Sequence, residues 1–292
     1  MNCPQIRIVA SGIALLSFAL LFSVPRTAHA AESYDNCTGF ITSLPVIVST
    51  QGTWCLKQDL STAITAGNAI TINTNNVTID CNNFKLGGLA AGASTAAIGI
   101  YELSRLNATV RHCNIRGFYY GMQFDGGGGG HVVEDNRFDN NTYVGLRISG
   151  DGSVVRRNQV MDTGGSTLVT QDALALRTVE DVDVLDNTVS GVQATGGGNG
   201  SAYGITTYNN FSASVSRNRV RGLVKDGSGS AWGIFNDASG RVIVTGNHLV
   251  GSGTGSTGLR CDSGEETVAD NVISGFATGS TCPDDGGNII KP

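Results

Sequence analysis

The 292-residue chain carries 19 basic and 24 acidic residues, a net charge of −5 at neutral pH. It offers no basic stripe, which excludes nucleic acid as a natural partner. Forty-one glycines, with abundant Ser, Thr and Asn, are what tight corners on a β scaffold require, and the length suffices for one elongated core.

The chain opens with Arg7, the apolar run 8–24 and the small-residue site Ala28-His29-Ala30. This order predicts a secretory signal peptide over residues 1–30, cleaved after Ala30, and delivery to the periplasm or the cell exterior. The apolar run is short and nothing like it follows, so no membrane span is expected. Cys3 is misplaced for a lipid-bearing cysteine. Residues 31–60 read as an N-terminal cap leading into the first coil, 61–282 as a solenoid, and 283–292 as a polar C-terminal tail.

The solenoid is read from a recurring slot: Asn82, Cys113, Asn136, Asn158, Asn187, Asn218, Asn247 and Asn271. Three residues ahead lies an apolar residue, from Ile79 and Val110 through Val133, Val155, Val184, Val215 and Val244 to Val268. Two residues after lies another, from Phe84 and Ile115 through Phe138, Val160, Val189, Val220 and Leu249 to Ile273. A period of 22 to 31 residues with alternating strands predicts coils that bury their apolar faces only by stacking. Asn suits such a slot because it tolerates left-handed turns and its amide can bond its copy in the next coil. The charges just before the slot alternate in sign from coil to coil and are assigned to the scaffold, where opposite charges on neighbouring strands stabilise modestly.

A second column of small residues runs Gly99, Gly121, Gly145, Ala173, Gly204, Gly233, Gly258, Gly279. Length variation collects ahead of it, in the segments 83–98, 159–172, 188–203 and 219–232, and insertions gathered at one corner mark a working face. Alternation places on the outer face, two residues beyond each small one, Tyr101, Gln123, Arg147, Ala175, Thr206, Phe235 and Arg260. Four beyond come Leu103, Asp125, Ser149, Arg177, Tyr208, Asp237 and Asp262. Rings can cover a pyranose, and planar Arg and Asp groups can hold its hydroxyls, so Tyr101, Gln123, Asp125, Tyr208, Phe235 and Asp237 are the candidate substrate-binding residues.

Six cysteines follow the signal peptide. Thr257-Gly258-Leu259-Arg260-Cys261 aligns with Thr278-Gly279-Ser280-Thr281-Cys282, which pairs Cys261 with Cys282 in one column. Cys81 and Cys113 fall on adjacent coils, and Cys37–Cys55 follows by elimination. His112, His131 and His248 are too dispersed in register for a metal site. The Asp284-Asp285 pair in the tail reads as a solvated cap.

The segments Asn76-Val77-Thr78-Ile79-Asp80-Cys81-Asn82-Asn83-Phe84 and Asn107-Ala108-Thr109-Val110-Arg111-His112-Cys113-Asn114-Ile115-Arg116-Gly117-Phe118 resemble the opening coils of secreted right-handed parallel β-helix proteins of the pectate-lyase-like superfamily. The resemblance runs from about residue 37 to the end. It implies an all-β, right-handed parallel β-helix of about eight coils. By analogy with pectate lyases, Arg147 or Arg177 would serve as catalytic base and Asp125 and Asp237 as calcium ligands. The Asn-Thr-Asp, Asp-Asp and Gly-His-Gly set of polygalacturonases is absent from the sequence. The expected partner is a polysaccharide or cell-surface glycan, bound without catalysis or in a structural, adhesive role. The alternative is a polysaccharide lyase or related epimerase acting on an acidic, uronate-containing glycan. The oligomeric state is left open.

Overall fold

The computed structural model describes residues 34–168, 172–209, 212–237, 240–262 and 265–291. The expected signal peptide, with Cys3, lies outside them. Every strand pairing among the described residues is parallel, and successive partners come from successive coils, as in Val132–Glu134 pairing with Thr109–Arg111 below and Ser153–Arg156 above. The result is a parallel β-helix with three ladders. The first is a ten-stranded sheet running from Gly39–Ile41 to Thr267–Ala269. The second ladder, which follows the asparagine slot, includes Asn114–Arg116, Arg137–Asp139, Gln159–Gly164, Thr188–Gln193 and Arg219–Val224. The third includes Ile98–Leu103, Tyr120–Asp125, Val144–Ser149, Ala173–Val179, Ala202–Tyr208 and Ala231–Asp237. Among the described residues no helix is long and apolar enough to cross a membrane.

The apolar columns of the sequence are the core. Ile79, Val110, Val133, Val155, Val184, Val215, Val244 and Val268 are all buried, as are Ile115, Phe138, Val160, Val189, Val220, Leu249 and Ile273. Burial of each such side chain is worth about 1.5–3 kcal/mol, so stacking these columns is the main favourable term. One expectation shifts: Phe84 is only partly buried, and Leu86 pairs with Ile115 in the core position. Asn82 and Asn83 both take positive φ, 47° and 66°, and that longer corner moves the core residue two places along.

The asparagines form a continuous stack. The amide Nδ2 of Asn187 donates to Val155 O at 2.9 Å and to Asn218 Oδ1 at 3.0 Å, while its own Oδ1 accepts the Asn158 N–H at 2.9 Å. The same pattern runs from Asn136 through Asn158, Asn187, Asn218, Asn247 and Asn271 to Asn288. Here the left-handed backbone falls on the preceding residue: His112, Asp135, Arg157, Asp186, Arg217 and Asp270 have φ of 52–58°. The turn and the amide bond are thus divided between neighbours in these coils. The tail expected as a solvated cap adds a rung, since Asn288 ends the stack and Ile289–Lys291 pairs with Val272–Ser274.

The small column is required by close approach. A Cβ at Gly99, Gly121, Gly204, Gly233 or Gly258 would lie 2.3–2.6 Å from the carbonyl oxygen of the equivalent residue one coil on. In the coil assigned to Ala173, that slot is filled by Ala175, whose carbonyl oxygen faces Gly145. Disulfides join Cys37 to Cys55, Cys81 to Cys113 and Cys261 to Cys282, with Cα separations of 5.8, 4.7 and 4.9 Å.

Candidate functional site

Moving Ala175 into the small slot rewrites the outer face of the third ladder. Arg177, which alternation from Ala173 placed in the second column, pairs in register with Arg147 in the first. The first column therefore reads Tyr101, Gln123, Arg147, Arg177, Thr206, Phe235, Arg260. Ala175 leaves it and is buried. The second column keeps Tyr208 beside Asp237 but holds Val179 where Arg177 was expected.

The two arginines differ in their surroundings. Arg147 Nε lies 2.9 Å from Asp125 Oδ1, an ion pair whose N–H points off the contact direction. Gln123 donates to the other carboxylate oxygen. Arg177 has no ion pair among the described residues. Its guanidinium lies 4.7 Å from the centroid of the Tyr208 ring, and its Nε is buried without a hydrogen-bond partner. A guanidinium so placed can donate to an incoming planar or oxyanionic group.

Aromatic clusters lie on either side of the pair along the helix axis. Tyr119 stacks on Tyr143 at 4.9 Å, and Tyr120 meets Tyr143 edge-on at 5.6 Å. Toward the C-terminus, Tyr203 and Trp232 are 4.6 Å apart, Trp232 and Phe235 5.4 Å, and Tyr208 meets Phe235 edge-on at 5.9 Å. Arg260 caps this cluster 5.0 Å from Phe235 and is paired with Asp262 at 3.0 Å. Burial pushes Tyr143 and Tyr203 up to about 12. Burial likewise raises Tyr101, Tyr120 and Tyr208, in the last two against the pull of Arg177. At neutral pH the face therefore presents phenol O–H groups, which donate, rather than phenolates.

The predicted residues fall on one ladder but not in one cluster. Tyr101 is two strands from Arg147, and Asp237 is exposed at the far side of Tyr208. Asp125 and Asp237 stand four strands apart, roughly 19 Å at the usual strand spacing, so they cannot share one calcium ion. No group of three His, Cys, Asp or Glu residues suited to a metal occurs among the described residues. Tyr120, Tyr143 and Tyr203 escaped the sequence reading. Tyr120 and Tyr203 directly precede a small-slot glycine, where strict alternation points a side chain inward. The period of two breaks at that slot, where the glycine and the residue after it are both buried, and the preceding side chain joins the outer face, as the contacts of Tyr203 and Trp232 with Phe235 demonstrate.

A sequence profile described as right handed beta helix region matches residues 53–219, more than half of the chain. No curated protein matches. Among solved structures, the Dettilon tailspike protein is 15% identical, with a TM-score of 0.43 over 86% of this chain and 60% of its own. A double mutant of the tailspike protein of E. coli bacteriophage HK620 is 12% identical, with a TM-score of 0.44 over 86% and 58%. A single mutant of that tailspike, in complex with a pentasaccharide, is 14% identical, with a TM-score of 0.40 over 86% and 56%. The chain thus spans 60% or less of the length of these tailspike chains.

Proposed function

The chain belongs to the right-handed β-helix family, and from that premise we propose that it is an exported carbohydrate-binding solenoid. Its ligand lies along the outer face of the third ladder. The observation that carries this reading is Arg177: among the described residues, a cation without a carboxylate and with an unpartnered buried Nε, set between two aromatic clusters. Rings cover sugar faces, phenol O–H groups donate to hydroxyls, and the free guanidinium takes a carboxylate or ring oxygen. Three disulfides support export to an oxidising compartment, and an adhesive role at a cell surface follows if the glycan is anchored there.

The test is retention of the purified protein on immobilised neutral and uronate-containing polysaccharides. Replacing Arg177 by Ala removes a charged hydrogen-bond donor, and binding is expected to weaken by about 10-fold or more. If no glycan is retained, or if Arg177→Ala and Trp232→Ala both bind as the parent does, the reading falls. The lyase or epimerase alternative is favoured instead by an ultraviolet absorbance rise from unsaturated uronate, or by epimerised product, that Arg147→Ala or Arg177→Ala abolishes.

A further inference from the structure

The asparagine corner has an outer side that the amide stack does not use. There Asn83, His112, Asn114, Asp135, Arg137, Arg157 and Gln159 line a cleft of about 370 Å³. Asn114, Arg137 and Gln159 are register neighbours on the second ladder, and His112, Asp135 and Arg157 are the left-handed residues across the corner. The charges here are largely spoken for. Arg157 reaches Asp135 at 2.7 Å and Glu134 at 2.8 Å, Arg137 reaches Asp139 at 3.3 Å, and His112 Nδ1 lies 3.2 Å from Asp80. No unopposed charge is left to draw an ion into the cleft.

What is left over is amide. Among the described residues the carboxamides of Asn83 and Gln159 have no protein partner, and Asn114 Oδ1 is buried without one. An unpaired buried acceptor is unfavourable, and a ligand hydroxyl would relieve it. Each carboxamide offers an acceptor and two donors in one plane, the complement of neighbouring hydroxyls that both give and take a hydrogen bond. Among the described residues no Phe, Tyr or Trp ring lines the cleft to cover a sugar face, so a sugar would be held by its edge. The volume falls at the small end of the range for ligand sites, roughly 300–1,000 Å³.

We infer that this cleft is a second saccharide site, taking one neutral sugar unit through its hydroxyls and acting independently of the arginine face. The test is heteronuclear NMR of the isotope-labelled protein, titrated in turn with glucose, galactose, mannose and N-acetylglucosamine. The side-chain amide signals of Asn83, Asn114 and Gln159 are expected to shift and saturate with at least one sugar. Arg137→Ala combined with Gln159→Ala should weaken that binding about 10-fold, while Arg177→Ala leaves it unchanged. Both substituted residues are exposed, and an unaltered backbone spectrum separates loss of binding from loss of fold. Amide signals that move with none of the four sugars, or that still move in the double variant, overturn the site.

Discussion

The asparagine corner and the third ladder are made by the same chain in the same coils, yet they follow opposite rules. At the corner, every coil from Asn136 to Asn271 uses one residue for one set of bonds, and each amide is paired above and below. On the third ladder the outer column changes identity at nearly every coil. Its inner column departs from an apolar core as well: Glu102, Thr178, Thr207 and Asn236 are buried there. Repetition marks a place where geometry admits one solution, whereas variation marks a place where packing leaves the choice of residue to something else.

The sharpest way to break this contrast is Asn187→Ala. The substitution strands the Asn158 N–H, the Val155 carbonyl and the neighbouring amides of Asn158 and Asn218, all of them buried. At about 1–3 kcal/mol for each unsatisfied group, partly relieved by relaxation, the expected loss is about 4 kcal/mol. Urea unfolding followed by circular dichroism measures it. A loss under about 1 kcal/mol, the range of an ordinary surface substitution, would mean that the repeated amide is dispensable.

The interior of the third ladder gives the next largest effect. Glu102 and His131 are fully buried, with Oε2 and Nε2 3.6 Å apart and neither of these two atoms hydrogen-bonded among the described residues. Burial, opposed by the Arg105 N–H, pushes Glu102 up from 4.5 to about 7, and burial pushes His131 down from 6.5 to about 4. The Ala108 N–H already donates to His131 Nδ1 at 3.2 Å, so a proton there would face another donor. Glu102 therefore contributes stability that is complete below pH 4.5 and lost as pH rises through about 7. His131 has the opposite sign: its contribution is complete above pH 6.5 and lost as pH falls through about 4. Between pH 4.5 and 6.5 the two slopes cancel. Glu102→Gln leaves the His131 slope alone, so the variant should gain roughly 1.4 kcal/mol per pH unit relative to the wild type, roughly 3 kcal/mol across the window. Parallel stability profiles for the two proteins would show that the pair does not titrate this way.

The same contrast explains what could be read from the sequence. The solenoid, its core columns and the disulfide pairs were legible because each coil repeats a constraint, and a constraint seen eight times outweighs local ambiguity. The face was legible only in part. One small-slot residue misplaced by two positions, Ala173 for Ala175, moved Arg177 out of the column it shares with Arg147. Nothing local distinguishes those two alanines; the carbonyl that crowds the slot belongs to another coil. Tyr120 and Tyr203 were lost for a related reason, because the period of two fails at the small slot. The separation of Asp125 from Asp237 depends on counting strands between them, which becomes secure only once the register is known.

The alternating charges at the corner give the smallest expected effect, and they divide by burial rather than by sequence. Asp80 is only 6% exposed and accepts from Arg111 Nε at 2.7 Å and from the Asn82 N–H at 3.0 Å, with His112 Nδ1 at 3.2 Å. Arg111→Ala leaves a shielded carboxylate short of one cationic partner, at a cost of about 1–2 kcal/mol. Arg217 and Asp186 make an equally short contact, 2.8 Å, but their side chains are 60% and 41% exposed. The Arg217 hydrogen bond holds the Asp186 carboxyl below its usual range, yet water screens most of what that pairing adds. Arg217→Ala is therefore expected to leave the urea midpoint unchanged at high salt and nearly so at low salt, while Arg111→Ala lowers it at both. Equal losses for the two variants would mean that the charge column acts as one unit along the helix, and that its alternation matters more than the shielding of any single pair.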